Sequence, residues 1–352
     1  MDDQVDKAAD EFNNVLLIAP ESEYGVQAQK YLDQIRQNPR PSSRPNLNPN
    51  RFGGIPFESR FYSTSDQRLS LQVDFGTAYN SNVTLAPISR GVAAPELGSY
   101  QLFTAPEFEL KTFRSDVFST GLNFNGYFTL NEGPQREFNL QDYRPGLFIE
   151  KVNENDQHAI VSRIQYQFEL NEFSGQTFAN RHSLTTSCVV LRENSDTLFY
   201  WTIDYSTFAD DGIDPVFSSL DGMTNTLGAS QSFYLRRPLL DILRGGVDVQ
   251  LADLDGSAFA YNGVFLYLES SAQLPLDSWL DLQAGWGYRD YYDFESTPSR
   301  NENLVHVSFE LWKDLNSHCR VTLFATYDRF DSPNALFETQ RLLTGIMTSY
   351  IR

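Results

Sequence analysis

The side chains of this sequence that are best equipped for chemistry are few and scattered. His306 and Ser308 stand two apart, a spacing that on a strand puts an imidazole and a hydroxyl on one face, as a general base and a nucleophile require. Glu107 and Glu109 repeat the spacing with two carboxylates, and Asp253 and Asp255 precede Gly256 like the opening of a calcium loop whose other ligands are missing. The histidines, His158, His182, His306 and His318, are dispersed and have no cysteine or carboxylate neighbours at ligand spacing, so neither a metal nor a cofactor is expected. Two cysteines, Cys188 and Cys319, fall on different segments and cannot form a disulfide framework; both are expected to be free thiols.

What these groups can do depends on the elements that carry them. Val305, Val307, Phe309 and Leu311 alternate with His306 and Ser308 and claim the apolar side of their segment. The same dyad runs through Leu69, Leu71, Val73, Phe75, Thr77 and Tyr79, with Ser70, Gln72, Asp74, Gly76, Ala78 and Asn80 opposite. It returns at Phe118, Leu122, Phe124 and Phe128; at Ile160, Ile164, Tyr166 and Phe168; at Phe199, Trp201, Ile203 and Tyr205; and at Leu280, Leu282, Trp286 and Tyr288. About fourteen such segments separated by turn residues predict an antiparallel transmembrane β-barrel, greasy outside and wet inside. The faces of the last strand, near Arg341 to Arg352, and of the one through Val264 stay ambiguous.

Composition agrees with a barrel and excludes other classes. The chain is 41% hydrophobic with a mean hydropathy of -0.40, low for a membrane protein, but a barrel strand needs an apolar residue only at every second position. No run approaches the roughly 18 apolar residues of a spanning helix; the longest is Val15 to Ala19. The aromatic share of 14% suits the girdles of such barrels. A net charge of -19 argues against nucleic acid as a partner. A soluble β-sandwich also alternates, but it does not pair so many long strands with so many exterior aromatics.

Parity assigns the lumen-lining candidates. The acids are Asp74, Glu107, Glu109, Asp142, Glu150, Glu169, Asp204, Asp248, Asp281, Glu310 and Asp328; the bases are Lys111, Arg144, Arg163, Arg244, Arg289 and Arg320. Acids lead, so a conducting lumen is expected to favour cations. An outer-membrane phospholipase resembles the His306 and Ser308 pair in using histidine and serine two apart on one strand. Here the pair faces the lumen, away from any lipid substrate, and ordinary polar lining is the stronger reading.

Ahead of the barrel, assigned to residues 67–352, two further parts are expected. Residues 1–37 read as a helical hairpin: Val5, Ala8, Ala9, Phe12, Val15 and Leu16 share one helical face, Pro20 interrupts, and Val26, Ala28, Tyr31, Leu32 and Ile35 resume. Residues 38–66, with Pro39, Pro41, Pro45, Pro49 and Pro56, read as an extended linker. Its arginines, with Arg36 just before it, make it either a solvated spacer or a basic strap threading an acidic lumen. The opening residues lack a basic, apolar leader, which implies a leader or longer segment removed. Connections alternate: long at Asn82 to Gly98, Asn171 to Ala179, Asp210 to Leu220 and Asp293 to Asn301, tight at Phe113 to Asp116, Asn153 to Asp156, Glu193 to Asp196 and Pro275 to Asp277. Arg236 to Ile242 is longer, and Asp253 to Ser257 shorter, than parity predicts. Tight turns on the side of the termini place the helices in the periplasm.

The order of parts, with Ala78-Tyr79-Asn80-Ser81-Asn82, Asp221-Gly222 to Leu227-Gly228, Asp253 to Gly256, and Tyr288-Arg289-Asp290-Tyr291 before Arg300, resembles the surface lipoprotein assembly modifier family and related outer-membrane barrels with tetratricopeptide domains. The hairpin itself, from Ala8-Ala9 through Phe12, Pro20 and Ala28 to Leu32, is similar to one tetratricopeptide repeat. The resemblance implies a fourteen-stranded barrel that helps to deliver lipoproteins to the cell surface, with periplasmic protein or lipoprotein cargo recruited by the helices. Barrels of this kind close on an aromatic final residue read by the outer-membrane assembly machinery; either the end is trimmed here or Tyr350 and Ile351 serve. A passive porin-like channel, or a plugged structural or adhesive barrel, are the other readings.

Overall fold

In a computed structural model of the protein, the residues described are 22, 28, 29, 68–84, 97–115, 117–154, 158–209, 220–237, 240–294 and 298–352. The expected hairpin and linker lie almost wholly outside them. Ala28 and Gln29 are helical, Ala28 is buried, and both belong to a compact unit separate from the barrel strands.

Among the described residues fourteen strands follow one another: β1 (Leu69–Asn80), β2 (Ser99–Arg114), β3 (Phe118–Asn131), β4 (Leu140–Glu154), β5 (Ala159–Phe173), β6 (Gln176–Arg192), β7 (Ser195–Phe208), β8 (Gly222–Arg237), β9 (Leu240–Leu254), β10 (Tyr261–Leu274), β11 (Ser278–Asp290), β12 (Asn301–Asp314), β13 (Cys319–Asp331) and β14 (Thr339–Ile351). Each pairs antiparallel with its neighbours in sequence, and β1 pairs with β14 from Gln72↔Ile351 to Asn80↔Leu343. The sheet therefore closes and leaves no edge, the condition for a β-structure to sit in hydrocarbon.

Alternation decides which way each side chain points. In β1, Gln72, Asp74, Gly76, Ala78 and Asn80 are buried, while Phe75 is 61% exposed on the outer face. Every face read from the sequence is recovered. The two ambiguous strands resolve: Arg341, Leu343 and Met347 of β14 point inward, and so do Phe265 and Tyr267 of β10, with Val264 outward. The exterior carries Leu122, Leu147, Ile164, Leu227, Val249, Leu282, Leu323 and Ile346, all more than two-fifths exposed. So continuous an apolar wall is untenable in water and matches a bilayer core. Aromatic pairs flank it, Tyr79 with Tyr100 and Phe128 with Tyr143 (both 5.1 Å between centroids) at one end, Phe113 with Phe118 and His318 with Tyr350 (both 6.1 Å) at the other.

The two ends differ in their connections. At the near end, where β1 begins and β14 finishes, the links are 115–117, 155–158, 193–194, 238–239, 275–277 and 315–318. At the far end they are 81–98, 132–139, 174–175, 209–221, 255–260, 291–300 and 332–338. Two expectations are corrected. The connection expected to be long at Asn171 to Ala179 is a two-residue turn, because β5 and β6 run on to Phe173 and Gln176; Ser174 (φ 49°) and Gly175 (φ 80°) supply the positive angles such hairpins need. Arg236 to Ile242, expected to be longer, is mostly strand, with residues 238–239 as the link, so the parity of short links holds all round the near end.

Inside, aromatic rings lie flat against the wall. Phe103 is paired in register with Gly76, Phe148 with Gly121, Tyr200 with Gly228, Tyr267 with Gly246 and Phe265 with Gly287. A Cβ at any of these glycines would come within 2.1–2.7 Å of the ring, so only glycine lets the ring lie down on the neighbouring strand.

Candidate functional site: the barrel lumen

The parity-assigned residues all lie on the inner wall, but in separate groups. On β4 to β6 they form an ion-pair ladder. Arg144 lies 2.7 Å from Asp142 and 3.1 Å from Glu169, and Arg181 lies 3.7 Å from the other oxygen of Glu169. Arg181 Nε also donates to Ser206, and Asn171 to Glu169. Closer to the near end, Arg163 reaches across β4 and β3 to Glu109 of β2 at 2.9 Å, sits 3.5 Å from Glu150, and stacks 3.8 Å above the ring of Phe148. Lys111 stands 4.0 Å from Glu150. Each carboxylate of this sector is met by a cation, which is what a buried charge requires.

The wall from β7 to β11 is built differently. Asp248, wholly buried, accepts from Tyr200 Oη at 2.5 Å; Asp204 accepts from Ser183 Oγ at 2.5 Å; Asp281 accepts from Trp312 Nε1 at 2.7 Å and from Ser271 Oγ. Asp196 accepts from Tyr234 Oη. Among the described residues no ion pair reaches Asp204, Asp248 or Asp281; neutral donors hold them. Arg244 is occupied by Glu269 at 3.3 Å and by Ser232 at 2.8 Å. Glu310 stands directly opposite Asp281 in the β11–β12 register.

On β12 to β14, Asp328 joins His306 Nδ1 at 2.7 Å and Arg341, all three nearly inaccessible. Ser308 donates to Gln283 at 3.3 Å instead of meeting His306, so the histidine and serine spacing assembles no nucleophile. Arg320 lies 3.7 Å over Trp312, which stacks on Trp279, and pairs with Asp314 at 2.7 Å. Arg289 covers Tyr261 at 4.7 Å. Arg163, Arg244, Arg289 and Arg320 thus stand on different strands with different partners and form no common cluster. Glu107, opposite Gln72, and Glu109 are wall residues, and Cys188 and Cys319 are free thiols.

Sequence reasoning missed Arg181, Asp196, Glu269, Glu302 and Arg341, although the same alternation places them inward once strand limits are known. It also missed that the inner wall is apolar in places. Phe103, Tyr127, Leu140, Phe324, Leu343 and Met347 cluster toward the far end, and Val161, Val189, Leu198 and Tyr200 toward the near end. The available signal was a glycine at an inward position opposite Phe103, Phe324 and Tyr200.

No family model and no curated protein matches the chain, so the likeness to lipoprotein assembly modifiers rests on short motifs alone. Among solved structures, the chain is similar to an anion-selective porin from Comamonas acidovorans (9% identity, 81% of this chain and 98% of that one, TM-score 0.45). It is similar also to a bacterial polysaccharide outer membrane secretin (10% identity, 81% and 99%, TM-score 0.44) and to the outer membrane protein OprD from Pseudomonas aeruginosa (7% identity, 81% and 94%, TM-score 0.39).

Proposed function

We propose that the chain is a non-enzymatic outer-membrane barrel that conducts solutes, with small cations favoured over anions. The observation that carries the reading is the closed wall itself, apolar and aromatic outside, with many ionisable groups among its inward-facing residues. A structure needing only to persist in a membrane has no use for so many charges on its inner face. Adding Asp196, Glu269 and Glu302 to the acids and Arg181 and Arg341 to the bases leaves the acids in excess. On β7 to β11, Asp204, Asp248 and Asp281 are held by neutral donors without a paired cation, and a narrow low-dielectric passage concentrates ions opposite in sign to the net charge of its lining.

Tight links at the near end, where the barrel strands begin and finish, support a periplasmic near end and helices in the periplasm. Those helices are suited to recruit cargo or partners. The test is the reversal potential of the barrel reconstituted in planar bilayers under a salt gradient. A cation preference that fades as salt rises is expected. A clear anion preference overturns the selectivity, and no current at all overturns conduction in favour of a plugged or cargo-gated barrel.

A further inference from the structure

At the far end an arginine stands outside the three lumen groups described above. Arg300, just before β12, is 1% exposed and held from every side. Its guanidinium carbon lies 3.8 Å from the ring centre of Phe337, 3.9 Å from Tyr291 and 5.1 Å from Phe259. Nη1 donates to the carbonyl of Ala258 at 3.1 Å, and Nε to Glu302 at 3.2 Å. Tyr291 donates to the second Glu302 oxygen at 3.1 Å, and Phe294 meets Phe337 edge-on at 5.4 Å. Burial, with the Glu302 carboxylate alongside, pushes the Tyr291 phenol up to about 12, so it remains a donor at physiological pH.

These contacts come from three separate connections: Ala258 and Phe259 from 255–260, Tyr291, Phe294 and Arg300 from 291–300, and Phe337 from 332–338. Glu302, on the inner face of β12, and Tyr261, at the start of β10 and 5.3 Å from Tyr291, anchor the group to the wall. A planar, delocalised cation can lie against several ring faces while its edge donates to a carbonyl and a carboxylate; an ammonium cannot do both.

We propose that Arg300 locks these three connections into one cooperative cap on the lumen side of the far mouth. The cap opens as a unit, because each connection loses its ring-to-cation contact when the guanidinium leaves. Reciprocity follows: disturbing Phe337 in the third connection must loosen the first two. The lock does not depend on conduction, but its effect on current does.

The test is amide hydrogen exchange of the folded barrel in lipid, comparing the wild type with Arg300→Ala, Arg300→Lys and Phe337→Ala. In all three variants the amides of 256–260, 291–294 and 332–338 are expected to exchange together, roughly ten- to thirtyfold faster, as for the loss of a desolvated cation–π contact. The far-end link 132–139 stays unchanged and serves as the control. Faster exchange in one connection alone, no change, or Arg300→Lys behaving as wild type would each overturn the lock. In bilayers, Arg300→Ala is expected to raise conductance or open-state noise. A barrel silent in every form but with coupled exchange supports the lock and refutes conduction.

Discussion

The inner wall of β4 to β6 and that of β7 to β11 obey the same alternation yet handle buried carboxylates in opposite ways. On the first, Asp142 and Glu169 are stapled by Arg144 and Arg181. On the second, Asp204 and Asp248 rest on hydroxyls from Ser183 and Tyr200. A hydroxyl satisfies an oxygen's hydrogen bond but brings no countercharge, whereas a guanidinium brings one. The first sector is therefore a structural seam and the second, the field sector, the one whose carboxylates, where ionised, act on the passage. Placement of acids alone does not tell the two apart; their partners do.

The sharpest way to break the contrast is to remove a cation from the seam. Arg144→Ala leaves Asp142 and Glu169 buried beside each other's charge, and about 3–5 kcal/mol of stability should be lost, the usual outcome of breaking a buried pair. Urea unfolding in lipid vesicles measures it. Tyr200→Phe in the second sector leaves Asp248 short of one neutral donor and should cost about 1–3 kcal/mol. Equal losses would erase the distinction between the sectors.

A second comparison pits the outer face of the seam against its inner face. Ile164, 52% exposed on β5, should reject arginine by up to about 2–4 kcal/mol near the midplane, whereas arginine at its inward neighbour Gln165, beside Arg163, should be far better tolerated. Phe124→Arg against Asn123→Arg and Leu282→Arg against Gln283→Arg repeat the comparison on other strands. Similar folding yields for both members of each pair would remove the membrane from the account.

A third change touches the field sector alone. Gly228→Ala sets a methyl where the Tyr200 ring lies 2.1 Å from the would-be Cβ, so the ring must lift from the wall and release Asp248. The expected loss is about 1–3 kcal/mol, as for an overpacked site, and Gly245→Ala on the outer face of β9, where the nearest atoms are 3.7 Å away, should cost much less.

What was legible beforehand follows the range of the interaction. Faces were legible because alternation is local: Phe124 and Asn123 are told apart by their immediate neighbours. Strand count followed from the same signal. The turn at Ser174 and Gly175 was misread because β5 and β6 continue beyond the bilayer as polar strand, through Asn171, Glu172, Gln176 and Thr177, where the apolar beat stops while pairing does not. Partners were not legible at all, since Arg163 meets Glu109 across two intervening strands and Arg300 meets Phe259 and Phe337 from separate connections. Register and closure create those meetings, and neither is written in any one segment. The aromatic rings on glycine lie between these cases: each is a pair of adjacent strands, readable once register is known.

The smallest expected effect is also the most specific to the contrast. Asp204→Asn keeps an oxygen to accept from Ser183 and removes only charge, so folding should be little changed while the lumen becomes less negative. One unit charge about 10 Å from a permeating ion is worth roughly 0.4 kcal/mol in a water-like medium and more in a drier passage, so the cation-to-anion permeability ratio should fall about twofold at 0.1 M salt. Arg181→Gln, on the seam, removes a charge of the opposite sign and should raise that ratio by a similar factor. At 1 M salt, where the screening length drops to about 3 Å, both variants should approach the wild type. Shifts in the same direction, or shifts that survive high salt, would mean that the substitutions alter the shape of the passage, and the division of the wall into seam and field would then have no electrostatic content.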